Sequence, residues 1–254
     1  MNYEAQAHYL KETFGLEYSP VAVRFSNDPD PSGSMDKQVS VCKSLEKTLC
    51  ENTVLNLSKE NLQCIGGRFY MGLGKLPLSI GVDIWTEYHK AFESKKVARR
   101  QIIKGAKPPG FWPWTKGKQK RFAVISPLEK ASRDPHVALI CCNAEQADRI
   151  TGLIAFSGHG PINHYPASNT CMSIAYSYVT GKPLISFVSR HSRELFKVKI
   201  PAGDLFVSLP YKDLQKAIAD IPHSGYGIAK TRKLTIKAMK EILAERHSCR
   251  LPSQ

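Results

Sequence analysis

Apolar and polar positions alternate along this chain in two rhythms. At the start, Ala5, Tyr9, Leu10 and Phe14 recur at three- and four-residue steps, which predicts a helix over Tyr3 to Phe14 with Gly15 as its C-cap. Short continuous apolar runs predict buried strands at Pro20 to Phe25, Val54 to Leu57, Phe122 to Ile125, His136 to Cys142, Leu184 to Val188 and Leu205 to Leu209. Helical spacing returns over Val41 to Asn52, Asp83 to Lys104, Ala144 to Ile154 with Asn143 as N-cap, Thr170 to Val179, Lys212 to Ala219 and Lys230 to Arg246. The polar stretch Asn27 to Ser34 reads as a turn-rich loop, and Cys64 to Gly67 as a second loop.

Strands and helices intermixed over the whole length imply an α+β (mixed α/β) fold, a central mixed sheet with helices packed on it. The expected organisation is a single domain over 1–254 with two lobes, 1–105 and 121–254, joined by a basic, Pro- and Trp-rich segment. A chain of 254 residues is long enough to bury a substantial core. With 42% hydrophobic and 23% charged residues, collagen-like, coiled-coil and wholly disordered readings are excluded. No apolar run approaches the roughly 20 residues that cross a bilayer. Met1 to Ala5 lacks the basic region and apolar stretch of a signal peptide, so the expected location is cytoplasmic, with no membrane partner.

The formal net charge is +14, and it is concentrated. Between His89 and Arg121 eleven Lys and Arg face only Glu93, and Lys230 to Arg250 adds seven basic residues against Glu241 and Glu245. The remainder is near neutral. Such a field attracts polyanions. Within it, Lys107 to Lys116 interleaves Phe111, Trp112 and Trp114 with base, as single-strand binders do, so nucleic acid or an acidic protein is a candidate partner through 89–121. A solvated helix face followed by a proline-stiffened loop is the plainer reading, since no RNA-binding or helix-turn-helix signature accompanies the charge.

Seven cysteines, an odd number without C-x-x-C spacing, argue against disulfides and zinc ribbons. Cys141 and Cys142 end an apolar strand as packing residues, and Cys50 and Cys249 read as bystanders. Cys42 and Cys171 open helices, where N-terminal amides favour a thiolate, and Cys64 precedes Gly66 and Gly67, a backbone able to approach a ligand and leave amides free. Three thiolates from distant positions could converge on one iron–sulfur cluster or metal, or be structural.

These residues carry a resemblance. Tyr18-Ser19-Pro20-Val21-Ala22-Val23, Val41-Cys42-Lys43, Cys64-Ile65-Gly66-Gly67 and Met71-Gly72-Leu73-Gly74 are followed by Ser126-Pro127-Leu128-Glu129, Thr170-Cys171-Met172 and Tyr178-Val179-Thr180-Gly181-Lys182-Pro183. In this order, over about residues 5 to 220, the chain resembles the uncharacterised ArCR family, domain of unknown function 169. The resemblance implies that Cys42, Cys64 and Cys171 recur as a set, favouring an iron–sulfur cluster of the 4Fe–4S type; it implies no particular reaction. One departure stands out. Where the family pattern is expected to read Gly-Cys-x-Gly-Ser-Arg, this chain has Val188-Ser189-Arg190-His191-Ser192-Arg193, so Ser189 replaces a fourth cysteine while Arg193 is kept. Serine is a poor ligand beside thiolates, leaving either three protein ligands and an open iron or a lost four-ligand site.

Two other groups bear chemistry. His159 and His164 lie five apart in Ser157 to His164, a glycine-rich stretch expected to be a loop, able to present an imidazole as acid, base or ligand. Arg190, His191 and Arg193 follow a strand end, where a small anionic ligand would suit the guanidinium fork. No dinucleotide fingerprint, Walker loop, nucleophile elbow or H-E-x-x-H motif occurs. The sequence therefore supports an iron–sulfur protein acting on or sensing a small anionic substrate. The alternatives are a basic, non-catalytic binding protein with structural cysteines, and a thiol enzyme using Cys42 or Cys171 as nucleophile, which requires a lowered thiol pKa.

Overall fold

The computed structural model describes residues 2–37, 40–75, 78–83, 86–87, 93–105, 119–160, 162–188 and 190–226. The tryptophan segment Lys107 to Lys116, Ser189, the expected helix Lys230 to Arg246 and Cys249 lie outside the described residues. The fold is α+β. Its strands are β1 (Val21–Ser26), β2 (Leu55–Ser58), β3 (Phe122–Pro127), β4 (Val137–Cys142), β5 (Asn163–Asn169), β6 (Leu184–Phe187) and β7 (Leu205–Pro210). They form one sheet in the order β2-β3-β1-β4-β7-β6-β5. Neighbours are antiparallel except β5 and β6, which run parallel and make the sheet mixed. β1 lies between β3 and β4, so strands from before and after the basic segment alternate in the same sheet.

The helices are α1 (Tyr3–Phe14), α2 (Val41–Glu51), α3 (Ile65–Tyr70), α4 (Leu78–Asp83), α5 (Lys95–Gly105), α6 (Ala144–Phe156), α7 (Thr170–Thr180), α8 (Arg190–Phe196) and α9 (Tyr211–Asp220). Local chemistry sets their ends. The Asn2 side chain accepts from the Ala5 N–H, Ser40 from Lys43, and Asn143 from Gln146, the last within a complete capping box. Gly15 ends α1 at φ 65°, a left-handed conformation that suits glycine. The expected basic helix from Asp83 to Lys104 is divided: α4 ends at Asp83 and α5 begins at Lys95, whose Nζ pairs with Asp83 at 2.9 Å and Glu87 at 2.6 Å.

Alternation along each strand builds two cores. Val21, Val23 and Phe25 of β1, Val137, Leu139 and Cys141 of β4, and Phe206 of β7 face one side, where α2, α3 and α7 bury Leu45, Tyr70 and Ile174. Ala22, Ala138, Ile140, Cys142, Val207 and Leu209 face the other, covered by Leu10 and Phe14 of α1, Ile150 and Leu153 of α6, and Leu214 and Ile218 of α9. Both faces are apolar, which is why the strands appear in the sequence as continuous runs. Cys141 and Cys142 are buried one on each side, as packing residues.

Candidate functional site: a thiol cluster at three helix starts

The three singled-out cysteines occupy equivalent places on α2, α3 and α7, all on the first face of the sheet. Cys42 and Cys171 are each the second residue of their helix, and Cys64 is the N-cap of α3. Gly66 and Gly67, expected in a loop with amides free, lie instead in the first turn of α3, where the Gly67 N–H donates to Cys64 Sγ at 3.3 Å. Their amides serve the sulfur of their own chain. Gly67 also fixes how closely α3 sits on α2: a Cβ there would stand 3.0 Å from Val41 Cγ2 and 3.5 Å from Cys64 Sγ.

The three sulfurs feel one another. Burial pushes the Cys42 thiol up to about 11; the Ser192 hydroxyl opposes this, the Cys64 charge adds to it, and Arg193 opposes it. Burial is also the largest cause at Cys171, which is held well above the usual thiol range, with the Cys42 and Cys64 charges adding to the rise. Cys64 is raised by burial too, against the Gly67 and Gly66 amides and Arg68. Cys42 and Cys171 are buried while Cys64 is partly open, so the group meets solvent on its Cys64 side. Tyr70, buried against the same core, is raised by burial and then by Cys171. None of this suits the thiol-enzyme alternative, since an activated nucleophile needs a lowered pKa. Among the described residues no three of His, Cys, Asp and Glu stand close enough to share one metal ion.

Ser192 and Tyr70 are site residues the sequence reading missed. Ser192 arrives on α8, a short polar segment without apolar periodicity, and the available signal was its match, beside Arg193, to the Ser-Arg of the family pattern. Arg193 contributes charge but directs its donors inward: Nε to Ile200 O at 3.2 Å, Nη1 to Val188 O at 2.7 Å and Nη2 to Pro201 O at 2.9 Å. It therefore clamps the segment after α8 beside the cysteines. That segment is held from the other side by α2, where the buried Glu46 accepts from the Lys199 N–H at 2.9 Å and from Lys43 Nζ at 2.7 Å.

Of the remaining candidates, those with described side chains, Arg190 and His159, do not join the thiols. Arg190 is exposed and pairs with Glu194 at 2.6 Å. His159 follows α6 and faces Asp213 of α9 at 3.6 Å, on the opposite side of the sheet. His164 lies in β5 rather than in a loop with His159, and His191 lies in α8; the side chains of both are outside the described residues. Cys50 is exposed and unpaired.

A family model described as uncharacterised ArCR, domain of unknown function 169, matches residues 9–220. It takes in all three helix starts of the thiol group, together with α8. No curated protein and no solved structure matches the chain.

Proposed function

The chain belongs to the uncharacterised ArCR family, and we propose that its role is to hold an iron–sulfur cluster through Cys42, Cys64 and Cys171. The observation that carries this reading is the placement of Cys42, Cys64 and Cys171 in the first turns of three helices, of which α7 packs against both α2 and α3. Without a counter-charge, burial and mutual repulsion keep these groups protonated; a cationic iron core removes both penalties. We take a cluster rather than a single ion because, among the described residues, no three of His, Cys, Asp and Glu stand close enough to share one ion. One tetrahedral zinc, with Zn–S of about 2.3 Å, draws its sulfurs to within about 4 Å of each other, whereas a cluster seats its thiolates on separate irons.

The groups around the sulfurs suit a bound cluster. Backbone amides at the helix starts favour each thiolate, the Ser192 hydroxyl supports Cys42, and Arg193 adds positive charge. When bound, a cluster with three protein ligands supplies either an open iron as Lewis acid or an electron-transfer centre. We extend the reading to a small anionic substrate or signal, which would enter from the partly open Cys64 side. Free thiols at this density suit a reducing compartment, so we place the protein in the cytosol; no helix among the described residues is long and apolar enough to cross a membrane.

Anaerobic reconstitution with iron and sulfide tests this. The parent should turn brown, with broad absorption near roughly 400 nm. Cys64→Ala and Cys171→Ala should lose iron while Cys50→Ala keeps it. A colourless, iron-free parent, or Cys64→Ala with full iron content, would sink the proposal.

A further inference from the structure

A second site lies at the end of the sheet where β1, β2 and β3 meet. Ser26 of β1 and Ser58 of β2 both pair with Phe122 of β3. This double register brings the residues just beyond, Asn27, Lys59 and Arg121, to one place. The loop that follows α3 closes over them. Gly72 turns it at φ 69°, Leu73 anchors it in the core, and the Leu73 and Gly74 N–H groups both donate to the Arg68 carbonyl, at 2.8 Å and 3.1 Å. The result is a cleft of about 680 Å³, lined on one side by Gly72 to Lys75 and on the other by Lys59, Glu60 and Gln119 to Phe122.

Four cations, Lys59, Lys75, Lys120 and Arg121, meet there against one carboxylate, Glu60. The Ser58 hydroxyl, then the Lys59 and Arg121 charges, hold Glu60 below the usual carboxylate range, so it stays ionised and offsets a single charge. Elsewhere Lys43, Lys95 and Arg190 stand within ion-pair distance of carboxylates, but among the described residues none of the four cleft cations does. Arg121 is instead laid over the Phe122 ring, its guanidinium carbon 5.7 Å from the centroid, and both residues line the cleft. Four cations gathered around a single carboxylate repel one another, and a multiply charged anion relieves that repulsion. The volume lies within the usual range for small-molecule sites, roughly 300–1,000 Å³.

We propose that this cleft binds phosphate-bearing anions, gripped by Lys59, Lys75, Lys120 and Arg121. The phosphates belong either to a small polyphosphorylated molecule or to a nucleic-acid backbone. The site uses none of the three cysteines and is independent of the cluster reading.

The test is calorimetric titration of the full chain at about 50 mM salt, where phosphate contacts are strongest. One arm uses tripolyphosphate and the other a short oligothymidylate. Saturable one-site binding of either probe is expected, weakened about tenfold or more in Lys75→Gln/Arg121→Gln. Binding of tripolyphosphate alone identifies a small polyphosphorylated ligand, and binding of the oligonucleotide alone identifies a phosphodiester backbone. Lys182→Gln/Lys212→Gln removes the same charge elsewhere and should bind as the parent does. Absence of saturable binding, an unchanged affinity in the cleft variant, or an equal loss in the control variant would overturn the proposal. Iron loading does not enter this measurement, so its failure leaves the cluster assay untouched.

Discussion

Replacing Gly67 by Ala tests the packing that brings α3 onto α2. A methyl at this position meets Val41 Cγ2 at 3.0 Å, Cys64 Cβ at 3.4 Å and Cys64 Sγ at 3.5 Å. Val41 is 1% exposed, so it cannot move aside into solvent. Overpacking of a filled core costs about 1–3 kcal/mol, while removing a helical glycine gains about 0.5–1 kcal/mol. The net expectation is a loss of about 0–2.5 kcal/mol, a fall of up to several degrees in Tm for a chain of this size. Gly66, one residue earlier in the same turn, has nothing within 4 Å of its missing Cβ. Gly66→Ala should therefore stabilise by about 0.5–1 kcal/mol. The two variants share the glycine term, so their difference isolates the contact with Val41 and Cys64. Urea unfolding at constant slope measures it. Two midpoints within about 0.5 kcal/mol of each other, the usual spread of neutral surface changes, would refute the claim that α3 is seated against the α2 start through Gly67.

Two further outcomes follow from polar groups near the same core. His136 Nδ1 accepts from the Phe25 N–H at 3.0 Å and must be neutral to do so; burial, then the Arg24 and Lys120 charges, hold its pKa below the ordinary histidine value. A depressed folded-state pKa means the contribution is complete above about pH 6.5 and is lost as the pH falls from there towards the folded value; His136→Ala should lack this part of the acid slope, and identical pH dependence in variant and parent would contradict the assignment. Glu46→Ala removes the acceptor for Lys199 N–H and Lys43 Nζ and should cost about 1–3 kcal/mol by urea unfolding, with Glu46→Gln recovering part of it; a variant as stable as the parent would show that the 197–201 segment is held by other means.

The sheet was legible because burial on both faces turns strands into apolar runs. β1, β3, β4 and β7 lie within a residue or two of their expected bounds for this reason. β5 was not legible. Asn163-His164-Tyr165-Pro166-Ala167-Ser168-Asn169 has neither an apolar run nor a clean alternation, and its proline suits only an edge position. α3 was hidden by Gly66 and Gly67, both poor helix formers; the Cys64 cap and the burial of Tyr70 and Gly67 override propensity there. The cysteine set was found through helix starts and family order, but its neighbours were not. Ser192 reaches Cys42 only because Arg193 and Glu46 fix the chain around α8, an arrangement of long-range contacts that no local pattern announces.

The place of β1 in the sheet also bears on how the chain is made. Both strands that pair with it, β3 and β4, are encoded after residue 121, so a ribosome at 5–20 residues per second leaves β1 with two open edges for on the order of ten seconds. During that interval Val21-Ala22-Val23 and Leu55-Asn56-Leu57 are exposed backbone templates, and the strongly basic stretch that separates them from their partners is also the part least prone to join other chains, because like charges repel. Nascent chains shorter than about 142 residues cannot complete the centre of the sheet, and holdase chaperones that cover apolar strands are expected to meet this protein early.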